Sequence, residues 1–318
     1  MSIKMKYLHA IVIGTLAVLP IQLYAQAPAA PANVAAGPPA AAQPAPGSVC
    51  NFPCDPYKGK KKLLVVADVF TGYDHDGINH MMGVVEQMGR ESGIYITFIR
   101  TDSQLITKGP ITVSSARYAA MQARGNGANK RNLNYFDAVM LLGSGDSTMS
   151  DQQKADLLSF IKDDGKGLLL GHAQGVNLVN WPEWGNLIGG LQNNEYPATG
   201  MWATVVDPSW TAAAAFGKDP FFWTDQWPVF KPEFTKGNLH TIIALDPTRM
   251  TPEERARARP DNYLPIVWAK NYGKGRVFAF TGGHNDSTLD DPRTRALLLE
   301  GIKWAVGLTT ENVTPDRK

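Results

Sequence analysis

KLLVVAD, residues Lys62–Asp68, is the stretch from which the fold is read. Leu63, Leu64, Val65 and Val66 follow one another without a polar break, so the segment has no face to offer to water. That is the pattern of a strand buried on both sides of a parallel sheet. Just beyond it, Asp76–Glu91 carries Ile78, Met81, Met82, Val85 and Met88 at helical spacing, and Ile94–Ile99 is again short, apolar and branched. Strand, helix and strand in this order read as a βαβ unit.

Toward the C-terminus the pattern repeats. Asp137–Gly143 (DAVMLLG) predicts a strand, Ser150 and Gln153 stand at capping-box spacing for a helix through Ile161, and Gly167–Gly171 predicts another strand. Apolar strands alternating with amphipathic helices argue for an α/β domain, with a mostly parallel sheet covered by helices on both faces. Further strands are expected at Ala203–Val206, Thr241–Leu245, Leu264–Trp268 and Arg276–Phe280, with Lys274 and Gly275 in a turn and a closing helix at Pro292–Val306. Thr101–Asn134 reads differently: a short helix around Ala116–Ala123, then a glycine and asparagine surface insertion at Gly125–Asn129. No internal repeat is present.

Toward the N-terminus the chain changes character. Lys4 and Lys6 precede an apolar run, Ile11–Leu23, which is short for a membrane helix of about 20 residues. A basic start, a short apolar core and a small residue at its end describe a signal peptide over residues 1–25, cut after Ala25. An uncleaved anchor is the alternative, against which Pro20 and the missing basic flank weigh. Residues 26–48 are rich in alanine and proline and are expected to form a disordered linker. A cysteine-containing lead-in (49–59), the main domain (60–310) and a short tail (311–318) complete the division. In an oxidising compartment Cys50 and Cys54 are close enough in sequence to pair, with two free thiols as the alternative. Neither CxxC nor CxxCH is present. The expected location is periplasmic or secreted, with no membrane segment left after cleavage.

Composition narrows the partners. The 318-residue chain has 31 Lys and Arg against 29 Asp and Glu, and loss of residues 1–25 removes two lysines, leaving 29 against 29. Nucleic acid is not an expected partner, because phosphate backbones require clustered Lys and Arg. The one basic group, Lys58–Lys62, reads as the solvated entry to the first strand.

Ligands of open α/β sheets bind beyond the carboxyl ends of the strands. His75 and Asp76 follow the first strand there, His172 follows GLLLG, and His284 with Asp286 follows RVFAFTGG. The sharpest local feature is GHAQG, Gly171–Gly175, a glycine-flanked turn after a strand with the form of a nucleophile elbow, or else simply a tight turn. Its centre is Ala173, whose methyl group cannot attack a carbonyl, so serine- or cysteine-type acyl-enzyme chemistry is excluded at this position.

Five segments in order then carry a resemblance. The loop Tyr73–Asp76, the GHAQG turn, WPEWGNLIGG (Trp181–Gly190), TDQWPVF (Thr224–Phe230) and GKGRVFAFTGGH (Gly273–His284) together resemble the ThuA-like, or trehalose-utilisation, family. That family lies within the class I glutamine-amidotransferase-like superfamily, whose elbow is GxCxG. The resemblance implies a three-layer, flavodoxin-like domain in which Ala173 replaces the amidotransferase cysteine. His75, His172, Asp225 and His284 fall on matching motif positions, and His284 with Asp286 is similar to the histidine and acid of the amidotransferase triad. Two departures stand out. Asp225, Gln226 and Trp227 occupy the place of an acidic pair and tyrosine, and Asn194, Glu195 and Tyr196 stand where the family often has a histidine. No role for that histidine is carried over.

The expectation is an exported protein that acts on or binds carbohydrate. His172, His284, Asp225 and His75 are the candidate catalytic residues, and Trp181, Trp184, Trp227, Tyr73 and Asp286 are candidates for substrate binding. Trp202 and Trp223 add to the aromatic set. If the protein is an enzyme, a hydrolase, lyase or isomerase reaction is expected and a glutamine amidotransferase is not. The alternative is a non-catalytic sugar-binding or interaction module. No cofactor is expected, with a divalent metal among His75, His172, Asp225 and His284 as the variant, since imidazole and carboxylate suit zinc, manganese or iron. Oligomeric state is left open.

Overall fold

The computed structural model describes residues 57–68, 72–73, 75–111, 131–143, 147–235 and 237–316. The signal segment, the linker, Cys50 and Cys54, the short helix at 116–123 and the insertion at 125–129 lie outside the described residues. No described helix is long and apolar enough to cross a membrane.

The quoted stretch forms β1 (Lys61–Ala67), and its alternate side chains enter two separate cores. Leu63, Val65 and Ala67 pack with one apolar cluster, Leu64 and Val66 with another. Helix α1 (Asp76–Ser92) turns Ile78, Met81, Val85 and Met88 toward the first core and ends at Gly93 in the left-handed region. The strands β2 (Tyr95–Arg100), β3 (Ala138–Leu142) and β4 (Gly167–Leu170) follow. Between the last two, α2 (Asp151–Lys162) starts with the expected capping box, the Ser150 hydroxyl accepting from the Gln153 amide, and packs Leu157, Phe160 and Ile161 into the second core.

Beyond β4 the chain builds α3 (Trp184–Ile188), β5 (Gln192–Glu195), β6 (Met201–Val205), α4 (Thr211–Ala214), β7 (Phe221–Trp223) and β8 (Pro228–Phe230). It continues through α5 (Pro232–Thr235), β9 (His240–Leu245), α6 (Pro252–Arg257), β10 (Pro265–Tyr272), β11 (Gly275–Phe280), α7 (Asp286–Asp290) and α8 (Pro292–Ala305). Leu297, Leu298 and Ile302 of α8 join α1 in the first core, so helices cover both faces and the domain has three layers.

One nine-stranded sheet runs β2-β1-β3-β4-β11-β10-β9-β6-β7. Its first five strands are parallel, in the flavodoxin-like order, with β1 between β2 and β3. β10, β9, β6 and β7 extend the sheet with antiparallel pairs. β5 and β8 form a separate two-stranded sheet. The expected α/β class and sheet are present. β5, β7 and β8 are additions, three or four residues long, too short to show a period.

Candidate functional site

Three strands of the parallel half, β1, β4 and β11, lead into loops that each carry a histidine. His75 is the residue before α1, His172 lies two residues after β4, and His284 precedes α7. Their rings meet edge to face: centroids are 4.6 Å apart for His75 and His172, 5.2 Å for His75 and His284, and 5.3 Å for His172 and His284. One ring nitrogen from each lies within 4.8 Å of the others.

A missing side chain makes this approach feasible. Gly77, in the first turn of α1, touches the loop of His284: a Cβ there would lie 2.7 Å from the His284 carbonyl oxygen and closer still to that of Gly283. Only glycine allows α1, and His75 at its start, to come so near. Gly283 is itself in the left-handed region, φ 102°.

The second support is Asp225, wholly buried. Its Oδ2 accepts the Gly283 amide at 2.8 Å, and its Oδ1 accepts the amides of His284 at 3.0 Å and Gln226 at 2.7 Å. Burial pushes its pKa above the usual carboxylate value, while those backbone amides pull it down. The carboxylate is thus engaged by the backbone of the His284 loop, and Asp225 is not part of the metal-capable group formed by the three histidines. Asp225 thus lies beneath the His284 loop, apart from the group that the three histidines form.

His172 is 4 % exposed. Its Nδ1 donates to the Thr281 carbonyl at 3.3 Å, which leaves the lone pair on Nε2, a buried atom with no hydrogen-bond partner. Burial lowers its pKa to about 4, reinforced by His75 and opposed by the Thr281 carbonyl, so the ring is neutral at pH 7. His284 is held in the same way. Asn285 donates its amide nitrogen to the carbonyls of Ala198 and Thr224, so its Oδ1 faces His284 Nδ1 at 3.2 Å and accepts from it. The triad-like pairing of His284 with Asp286 is therefore replaced by His284 with Asn285. Asp286 is exposed and, with Tyr73, borders a shallow groove on the outer side of the cluster. Tyr73 packs edge-on against His75, ring centroids 4.7 Å apart.

On the inner side a cleft opens beside His75 and His172. Gln174, Gln192, Glu195 and Gln226 supply its polar lining, and Ile188, Phe230 and Trp268 its apolar part. The GHAQG turn forms one wall. Ala173 is held at φ 67°, ψ 5°, so the elbow conformation is present without a nucleophile, and a single 3-10 turn, Gln174–Val176, follows instead of a long helix.

The candidate tryptophans are placed elsewhere. Trp184 and Trp227 are fully buried, their indole nitrogens donating to the carbonyls of Gln174 and Trp223. Trp181 stacks on Trp184, 9 % exposed, and Trp223 is 4 % exposed. Trp202 lies on β6 against Phe222 and Arg249. None of these rings lines the cleft, and for the four buried ones packing a large apolar area into the interior stabilises more than leaving it at a surface. The residues that sequence reasoning missed, Gln192, Glu195, Gln226, Thr281 and Asn285, are polar and lie on short elements or turns. Gln226 and Asn285 had a local signal, their positions next to Asp225 and His284.

The family model described as trehalose utilisation, ThuA, matches residues 62–305. Among solved structures, a ThuA-like protein from Bacteroides uniformis ATCC 8492 superposes with a TM-score of 0.58 at 17 % identity, over 80 % of this chain and 95 % of that one. A ThuA-like protein from Parabacteroides merdae ATCC 43184 gives 0.52 at 15 % identity, over 81 % and 94 %. At these identities the likeness is one of fold. A search of curated proteins finds no match.

Proposed function

We propose, from the premise that the chain belongs to the ThuA (trehalose-utilisation) family, that it is an exported protein whose three-histidine cleft binds and acts on a carbohydrate or carbohydrate-derived small molecule. The family sets a sugar-related role. The observation that carries the finer reading is the convergence of His75, His172 and His284, the first two of which line a cleft with Gln174, Gln192, Glu195 and Gln226. Amide and carboxylate side chains exchange hydrogen bonds with sugar hydroxyls, while Phe230 and Trp268 supply apolar surface. His172, neutral at pH 7, offers a lone pair to a hydroxyl; His75 and His284, only partly buried, are the groups placed to move a proton. Ala173 leaves no nucleophile at the elbow, so the reaction runs by proton transfer without an acyl-enzyme.

The test is turnover of disaccharides and their oxidised keto derivatives by wild type, His172→Ala and His284→Ala. Loss of product in both variants with retained folding is expected; unchanged turnover in both would remove the cluster from the mechanism. Ala173 also favours a second reading, a site that binds sugar without converting it. Thermal stabilisation by ligand with no depletion of that ligand would select it. Export is checked separately, by N-terminal sequencing of mature protein from the periplasm or medium, where Gln26 is the expected first residue. Detection of Met1 on protein confined to the cytoplasm would overturn it.

A further inference from the structure

We propose that His75, His172 and His284 form a three-imidazole site for one divalent transition-metal ion of the zinc class, with its remaining coordination position open to the cleft. Among the described residues this is the only group of three or more His, Cys, Asp or Glu side chains able to share an ion.

The separations suit such an ion. A point central to three atoms 4.8 Å apart lies roughly 2.8 Å from each, so each ring need move only about 0.7 Å to reach a zinc–imidazole bond of about 2.0–2.1 Å. The donors are all nitrogen, which favours zinc or its neighbours over magnesium or calcium, both of which take oxygen ligands. Three protein ligands with one vacant position is the pattern of catalytic rather than structural zinc.

The surroundings argue more strongly than the spacing. Imidazoles that bind a metal donate their other nitrogen to a carbonyl or carboxylate, which fixes the tautomer and aims the ring. Two of the three do so here: His172 Nδ1 donates to the Thr281 carbonyl and His284 Nδ1 to Asn285 Oδ1. In both rings the lone pair is left on Nε2. That of His172 is buried with no partner in the protein, a state that costs about 1–3 kcal/mol unless something binds there. Asp225 adds the next layer, gripping the backbone of the loop that carries His284. A purely structural histidine cluster would gain nothing from two carbonyl-oriented tautomers that leave a buried lone pair unused.

The inference goes beyond the sugar reading and does not depend on it: with an ion bound the three imidazoles serve as its ligands, and the hydroxyl-binding and proton-moving roles given to them above belong to the metal-free cleft. The test uses untagged full-length protein, titrated with zinc alone and with cobalt alone, no sugar being present. One equivalent per chain is expected, with the intense visible bands of four- or five-coordinate cobalt. His172→Ala should weaken binding by more than about 100-fold, the upper end of what loss of an outer partner costs. Asn285→Ala, which keeps all three ligands, should weaken it by about 10- to 100-fold. His75→Ala, at a partly exposed loop position, serves if His172→Ala fails to fold. Wild type that takes up neither ion, or His variants that retain the wild-type stoichiometry and affinity, would overturn the proposal. Because sugar turnover is measured apart from metal uptake, either result can fail while the other stands.

Discussion

The carboxylate of Asp225 accepts the backbone amide of His284 at 3.0 Å across 59 residues of chain. With Gly283 held at 2.8 Å by the other oxygen, one buried side chain sets the path of the loop that brings His284 to the cluster. Asp225→Asn replaces one acceptor by an NH2 group facing an amide donor. A loss of about 1–3 kcal/mol in stability is expected from urea unfolding. An unchanged midpoint would show that the loop holds itself.

Gly77 and Gly83 lie in the same helix and predict opposite outcomes. At Gly77 an added methyl meets the carbonyls of Gly283 and His284, so Gly77→Ala should cost about 1–3 kcal/mol and disturb the cluster. Nothing lies within 4 Å of a methyl at Gly83, where Gly83→Ala should stabilise by about 0.5–1 kcal/mol through helix propensity. Thermal or urea unfolding of the two variants side by side checks both signs.

Ala173 keeps a left-handed backbone, φ 67°, that glycine adopts without a Cβ penalty. Ala173→Gly should therefore raise stability by about 0.5–1 kcal/mol. A destabilised variant would mean that the turn is not strained by its side chain.

Lys270 provides the pH test. It is 3 % exposed, donates Nζ to the Asn186 carbonyl at 2.5 Å, and burial lowers its pKa from 10.5 to about 7. Between those two values the unfolded chain holds the proton that the folded one gives up, so stability rises with pH through this window; below it the full cost of burying the charge remains. Lys270→Met should stabilise the protein below pH 7 by at least about 1 kcal/mol, and the gain should shrink as pH approaches 10.5. Urea midpoints measured across that range test it. A gain independent of pH would assign the effect to packing alone.

Much of the parallel half was readable from sequence, because a strand buried on both faces has to be apolar at every position, as β1, β3 and β4 are. The three histidines were found for a related reason: the residue after such a strand is a local property, and the topology rule says that it lines the ligand edge. The places of the tryptophans were not legible, because an indole suits a core or a sugar face equally well in one dimension. Trp184 and Trp227 went to the core, while Trp268, inside β10, reached the cleft.

By itself the sequence determined the α/β class, the order of the parallel elements, the absence of a nucleophile at Ala173 and the strand-end positions of His75, His172 and His284. These follow from periodicity and side-chain chemistry, which act over a few residues. Only the tertiary structure decided that the three rings meet, that Asp225 supports the site from behind, and that Thr281 and Asn285 orient the imidazoles. Those relationships join residues from different loops of one sheet edge, and packing, as at Gly77 against Gly283, sets distances that no local pattern carries.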